Sequence, residues 1–470
     1  MTTERRPWRT VLRRLAGRGA VLWVGAGLIT LAGCVHAPLG TDAAVPAALP
    51  AQTPLATGPD PHHGGAPDGD NSRVVVIAVA NPLVPLAAQA GTTPGVYDRR
   101  PRYATGASAQ GLLRAVARDH GLQPLAAWPI PVLGLHCATL LLPEGADRDE
   151  ALRQLAADPR VSLVQPLQEF STRAQARPAP LPPPPAAIAA AERLGYNDPY
   201  LPLQRNLQGL DVLSVHRCRR GQGVTLAVID TGADLGHEDL QGLRVSSSNF
   251  VDTDAQRFAH DQHGTEVLGL IGARPGNALG IVGIAPDSRV LLYKACWQVS
   301  AQGEARCNSF TLAQALSAAI EQGAQVINLS LGGPSDPLLT RLLQLALSRG
   351  VVVVGAMPPQ ARRSGFPVEV PGVIAVQSGR VSDVALAAPG QEVLTLTPGG
   401  RYDFVSGSSL AAAQLSAAAA LLLQDGTHLD GPAVERLLRD SARDQADGMP
   451  KLCEAMLHLS ANTCHCPLPR

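Results

Sequence analysis

A chain of 470 residues is long enough for more than one folded unit. It carries 39 Lys and Arg against 39 Asp and Glu, and this zero formal charge argues against a generic nucleic-acid binder or a polybasic membrane binder. Hydrophobic residues make up 45% of the chain but aromatics only 3%, so the core must be built mostly from Ala, Val, Leu and Ile.

The N-terminus reads as a targeting segment. "TERRPWRTVLRRLAGRG" is basic, and "AVLWVGAGLITLAG" is an apolar run too short to span comfortably as a mature helix. The run ends in "LAGC", residues Leu31 to Cys34. Small residues directly before a Cys resemble the lipobox of bacterial lipoproteins, which implies that Cys34 becomes the first mature residue and carries the acyl chains. An ordinary signal peptide with a chance Cys is the plainer alternative. Val35 follows the Cys where an Asp retention signal would stand, so the resemblance points to the outer membrane. Eight cysteines fit an exported, oxidising setting. With Cys34 lipidated, seven remain, and at least one is left without an intramolecular partner.

Residues 35–72 are rich in Ala, Pro and Gly and read as a flexible spacer, with His62 and His63 solvated within it. Residues 73–170 read as a small α+β unit. "RVVVIAVA" is a buried-strand pattern, and "SAQGLLRAVARDHG" places Leu112, Leu113 and Val116 on one helical stripe. "GLHCATLLL" is a strand, and "DRDEALRQLAAD" starts a second helix with Asp147 and Glu150 at capping-box spacing. "RVSLVQPL" closes as a strand, giving a β-α-β-β-α-β, ferredoxin-like order. Residues 171–195 are rich in proline and read as a second, extended linker.

The main unit is expected over 196–444. β-runs ("VTLAVID", "RVLLYKA", "QVINLSL", "VVVVGA", "GVIAVQS") alternate with helical patterns ("FTLAQALSAAIEQG", "PLLTRLLQLALSRG"). Continuous apolar strands separated by helices predict a three-layer α/β fold, a parallel sheet covered on both faces, with chemistry at the strand ends. Cys296 and Cys307 flank a polar loop and are the expected disulfide. Residues 445–470 form a tail holding Cys453, Cys464 and Cys466, for which a disulfide or a loose tail is a better reading than a metal; no four-ligand zinc spacing is present.

Three segments of the main unit carry chemistry. Asp230 ends a buried strand in "VTLAVIDTGADLGHEDL", where it could simply cap a turn. His263 opens an apolar helix in "DQHGTEVLGLIG", and Ser409 begins an Ala/Leu helix in "FVSGSSLAAAQLSAAAALLL", where it could be a plain N-cap. Together, "AVIDTG", "HGTEVLGLI" and "SGSSLAAA" in this order resemble the subtilisin family of serine proteases. Around the Ser, the family's usual Thr, Met and Pro are replaced by Ser408, Leu410 and Ala413.

The resemblance implies a subtilisin-type sheet and an Asp230, His263, Ser409 triad working through an acyl-enzyme. It also implies that residues 73–170 are a propeptide acting as intramolecular inhibitor, and that Ser330, Leu331 and Gly332 bind the substrate backbone with Gly365 at the floor of the specificity pocket. The implied substrate is a protein or peptide. Calcium is common in the family, but no acidic loop here is specific enough to assign a site, and no cofactor is expected.

One position departs from the family. Its valine strand ends in small residues followed by Gly-Asn, whose side chain is an oxyanion donor, whereas "VVVVGAMPP" puts Pro358 or Pro359 there. Proline has neither a side-chain donor nor an N–H. Gln360 is the candidate replacement. The same departure supports a rival expectation, a weak or inactive peptide-binding module at the cell envelope. Arg362 and Arg363, near the pocket floor in sequence, read as solvated; the sharper alternative is a preference for acidic residues before the cleaved bond.

Overall fold

The computed structural model describes residues 69–82, 107–172, 175–176, 194–300, 303–358, 363–379, 382–426, 428–446, 448–459 and 464. These all belong to one compact unit, Gln52–Arg470.

The small N-terminal part contains β1 (Val74–Ala80), α1 (Ala107–Asp119), β2 (Gln123–Ile130), β3 (Leu135–Leu141), α2 (Arg148–Ala157) and β4 (Leu163–Pro166). Its sheet has the order β2-β3-β1-β4 with antiparallel neighbours throughout. That is the ferredoxin-like arrangement. Asp147 caps α2 by accepting from the Asp149 and Glu150 N–H groups.

Alternation along β1 explains how this part is held. Val75, Ile77 and Val79 face α1 and α2 in one core. Val74, Val76 and Ala78 face the other way, into a core shared with the large part. Trp128 packs edge-on to Phe310 there, with ring centroids 4.5 Å apart.

Two short strands follow: β5 (Glu169–Thr172) and β6 (Gln175–Ala176). This corrects the expected boundary at 170 and the linker at 171–195, because β5 and the first residues of that segment are paired strand. Their partners lie more than a hundred residues away, so no local pattern marks them.

The large part contains α3 (Arg205–Gly209), α4 (Val212–Val215), β7 (Thr225–Asp230), β8 (Arg244–Asn249), α5 (Ala255–His260), α6 (Gln262–Gly272), β9 (Arg289–Lys294), β10 (Cys296–Gln298) and β11 (Ala305–Asn308). It continues with α7 (Ser309–Glu321), β12 (Val326–Leu329), β13 (Leu331–Gly332), α8 (Pro337–Ser348), β14 (Val352–Ala356), β15 (Ile374–Ser378) and β16 (Leu386–Ala388). It ends with β17 (Val393–Thr397), β18 (Arg401–Ser406), α9 (Ser408–Leu423), α10 (Gly431–Ala442) and α11 (Leu452–Leu457).

Seven strands form one parallel sheet in the order β16-β15-β14-β12-β7-β9-β8. Leu226 and Val228 of β7 face α6 and α9; Ala227 and Ile229 face α7 and α8. The expected three layers are therefore present. Helix α9 is enclosed, with every residue from Ser409 to Leu423 buried, which is why its sequence is almost wholly Ala and Leu.

The tail is also revised. Leu452, Cys453, Ala455 and Met456 of α11 are buried in the main core, and Cys464 is bonded to Cys218. The expected boundary at 444 thus cuts through the large domain. Cys296 and Cys307 lie opposite one another on β10 and β11 and are bonded, whereas Cys137 is a free, buried thiol. Among the described residues no helix is long and apolar enough to cross a membrane. Cys34 and Cys466 lie outside the described residues.

Candidate active site

Asp230 is the last residue of β7, a central strand of the parallel sheet, and is fully buried. Its Oδ1 lies 2.7 Å from His263 Nδ1 and accepts the Thr231 N–H at 2.7 Å. His263 is the second residue of α6. The contact needs β7 and α6 to approach closely, and Gly264 permits it. A Cβ at Gly264 would stand 2.2 Å from the Gly232 carbonyl oxygen, and its N–H donates to Thr231 Oγ1 at 2.8 Å. Behind the pair, the Lys294 ammonium and the Asp261 carboxylate form a buried ion pair, and Asp261 also accepts the Gly232 N–H at 2.9 Å.

Burial pushes His263 down, but the Asp230 carboxylate and, to a smaller extent, Glu266 more than offset it, so its pKa is raised above the usual imidazole value. The opposite ring nitrogen, Nε2, is buried and makes no hydrogen bond. It is the free valence through which the imidazole can act on another group.

Ser409 is the second residue of α9, which packs against α6. The backbone N–H groups of a helix's first turn have no carbonyl of their own helix to bond, and they carry the positive end of its dipole. A chain of buried polar contacts fixes this end. Ser416 Oγ donates to Asn328 Oδ1 (2.9 Å), Asn328 Nδ2 to Ser330 Oγ (2.9 Å), and Ser330 Oγ to the Ser409 carbonyl (2.9 Å). Sequence reasoning gave Asn328 and Ser416 no role. The signal was there, as a polar residue inside each of two apolar runs, and a buried polar group needs a partner.

Ser409 and Ser330 line a cavity of about 630 Å³. Its walls are Leu331–Gly333 and Ala356–Pro358; its floor is Ser364–Phe366. Gly365 holds a φ of +76°, and a Cβ there would meet the Gly333 carbonyl oxygen at 2.2 Å, so only glycine fits the floor. The expected substrate edge is already engaged, because Leu331 and Gly332 pair antiparallel with Thr172 and Ser171 of β5. On the other side, Gln175 and Ala176 of β6 pair with Ser406 and Val405, just before Ser409.

Pro358 lies on the cavity wall, where it has no N–H to offer. The Ser330 hydroxyl is donated to the Ser409 carbonyl and that of Ser408 to the Met357 carbonyl at 2.8 Å. Pro359, Gln360 and Arg362 lie outside the described residues. Arg363 is not solvated as expected: its guanidinium donates to the Val368 and Val373 carbonyls at 2.7 and 2.6 Å.

Comparison with known proteins bears on the family and the fold. The Subtilase family profile matches residues 221–453. The thermophilic serine proteinase of Bacillus sp. (strain AK1) is 35% identical over 217 residues, 43% of this chain and 53% of that protein. The chain thus spans about half the length of that relative. The major intracellular serine protease of Bacillus subtilis (strain 168) is 32% identical over 225 residues, 43% of this chain and 69% of that protein. Thermitase of Thermoactinomyces vulgaris is 30% identical over 244 residues, 49% of this chain and 86% of its own length. Among solved structures, fervidolysin from Fervidobacterium pennivorans, a keratinolytic enzyme related to subtilisin, superposes with a TM-score of 0.59 at 21% identity, over 77% of this chain and 60% of that one. That likeness is one of fold. With a parallel sheet of the same type and relatives matched over most of their length, the chain belongs to the subtilase family of serine endopeptidases.

Proposed function

We propose that the chain is a serine endopeptidase made as a zymogen, with Asp230, His263 and Ser409 as its triad. The observation that carries this is the 2.7 Å contact between His263 Nδ1 and Asp230 Oδ1, with Nε2 left unbonded. In this reading Ser409 Oγ attacks the peptide carbonyl while His263 Nε2 takes its proton, and the same nitrogen then protonates the leaving amine. Asp230 fixes the tautomer and stabilises the imidazolium, the division of labour known from subtilisin itself. In structures without substrate, such hydrogen bonds are commonly open and tighten in the complex, which accounts for the unbonded Nε2.

Negative charge on the tetrahedral oxygen would be met by the Ser409 N–H at the start of α9. With proline on the opposite wall, the second donor is lost unless Gln360 supplies it. In subtilisin that donor contributes roughly 10²–10³-fold to turnover, so a slow enzyme is expected rather than a dead one.

The pairing of β5 and β6 on either side of Ser409 supports the zymogen reading. The chain itself takes the place of substrate, and self-cleavage is proposed between Thr172 and Gln175. The small domain then acts as an intramolecular inhibitor. With Cys34 as a lipid anchor of an exported, outer-membrane protein, that cut would separate the protease domain from its lipid.

The rival reading, a peptide-binding module without turnover, rests on Pro358. A fluorophosphonate probe separates the two. Wild-type protein is expected to be labelled, and Ser409→Ala is expected to lose all labelling. Wild-type protein that never labels, under conditions where it is folded, makes the binding module the better account.

A further inference from the structure

A ring of contacts joins Asp230 to His263 by a route other than their own hydrogen bond. Lys294 is the last residue of β9 and stands opposite Asp230 in the parallel sheet, where the Ala295 N–H donates to the Asp230 carbonyl at 2.8 Å. The Lys294 ammonium reaches Asp261 Oδ2, and the same oxygen accepts the Gly232 N–H at 2.9 Å. Asp261 is the single extended residue between α5 and α6, and His263 follows it by two.

Asp261 occupies the N-cap position of α6, yet its side chain does not cap that helix. An aspartate there ordinarily accepts an N–H from the first turn of its own helix. Here the first turn is held from outside. The Gln262 N–H donates to Gln298 Oε1 at 3.1 Å, and the Gly264 N–H to Thr231 Oγ1 at 2.8 Å. The carboxylate is diverted to Gly232 and Lys294. The turn after Asp230 is pressed into this corner: a Cβ at Gly232 would stand 2.5 Å from the Phe258 carbonyl oxygen and 2.8 Å from Asp261 Oδ2.

Stability is a poor reason for the ion pair. Lys294 and Asp261 are 1% and 5% exposed, and two charges taken out of water recover little net energy from one another. The charges that raise His263 are those of Asp230 and Glu266, not this pair. Geometry is the reason that remains, because a catalytic group displaced by about 1 Å can cost ~10²-fold in rate.

Resting on the endopeptidase reading above, we infer that Lys294 and Asp261 are positioning residues for the reaction. They fix the start of α6 on the turn that follows Asp230, and so keep His263 Nδ1 on Asp230 Oδ1 while Nε2 takes up and returns the proton. They touch neither the substrate nor the reacting atoms.

The test is the double variant Lys294→Met/Asp261→Asn in the full chain. It removes both charges together, and the Asn carbonyl oxygen still accepts the Gly232 N–H, so thermal unfolding is expected to stay close to wild type. The turnover number after self-cleavage is expected to fall roughly tenfold or more, with KM within about threefold of wild type. The midpoint of the pH profile is expected to drop, because a loosened Asp230 contact pulls less on the imidazole. The His263 Nδ1–H proton, read by NMR in the full chain, is expected to move upfield and to titrate at lower pH. If the double variant folds poorly, Asp261→Asn alone carries the same expectations. A folded variant with wild-type turnover number, midpoint and NMR titration overturns the inference, and so does a loss confined to KM or to thermal stability. Wild-type protein that neither labels with fluorophosphonate nor cleaves sinks the endopeptidase reading instead. The His263 proton then still decides whether the ion pair holds the imidazole on its carboxylate.

Discussion

His263 is pulled two ways. Burial favours the neutral imidazole, whereas Asp230 at 2.7 Å and the nearby Glu266 favour the charged one, and the carboxylates win. Catalysis needs the ring neutral so that Nε2 can accept a proton. Because the pKa is raised, the neutral fraction grows only above the usual imidazole range. Turnover efficiency should therefore climb with pH through a midpoint above about 6.5. Glu266→Gln removes one source of that upward pull and should move the midpoint down. A pH profile with its midpoint at or below the ordinary value, or one indifferent to Glu266→Gln, would contradict this balance.

Strand ends and helix starts explain why the triad segments could be read from sequence. Asp230 stands between an apolar run and a Gly turn, and His263 and Ser409 each open a helix whose burial demands apolar residues around them. Elements held only by distant partners left no such trace. Strand β2 is required by the expected β-α-β-β-α-β order, but its prolines at 124 and 129 leave it without a β pattern of its own, and β5 and β6 look like linker until their partners on β11, β13 and β18 are known. Helix α11 is six residues long and takes its stability from the core it covers.

The docking of β4 on α8 was equally unreadable, although it is specific. Gln165 Nε2 donates to Asp336 Oδ2 at 2.7 Å, and Gln165 Oε1 accepts the Leu338 N–H at 3.0 Å, so one side chain from the small domain completes the cap of a helix in the large one. Gln165→Ala would leave a buried N–H and a buried carboxylate short of partners. That should weaken the docked pair by about 1–3 kcal/mol, or roughly 5- to 150-fold. Activity after self-cleavage is then expected to emerge faster than in wild type. If it emerges at the same rate, the Gln165 clamp does not govern release.

At the scale of the whole molecule, the Cys218–Cys464 and Cys296–Cys307 disulfides do different work. Cys218–Cys464 spans 246 residues and ties the end of the chain to its core, whereas Cys296–Cys307 spans 11 and braces a hairpin. In the chain-entropy account the long loop contributes roughly 5 kcal/mol and the short one roughly 3. Thermal unfolding of Cys218→Ser/Cys464→Ser should thus fall further than that of Cys296→Ser/Cys307→Ser. The reverse order would mean that strain or residual structure outweighs loop entropy here.

The two-faced sheet of the small domain carries a consequence of its own. Val74, Val76, Ala78, Trp128 and Cys137 are covered only by the large domain, not by α1 or α2. Once severed and parted, that fragment would present a greasy plane and a bare sulfhydryl to an oxidising milieu, and it could recover neither shelter nor fold without its former host. Departure would then act as a ratchet: the freed piece is lost to unfolding or destruction, and the enzyme it restrained stays switched on.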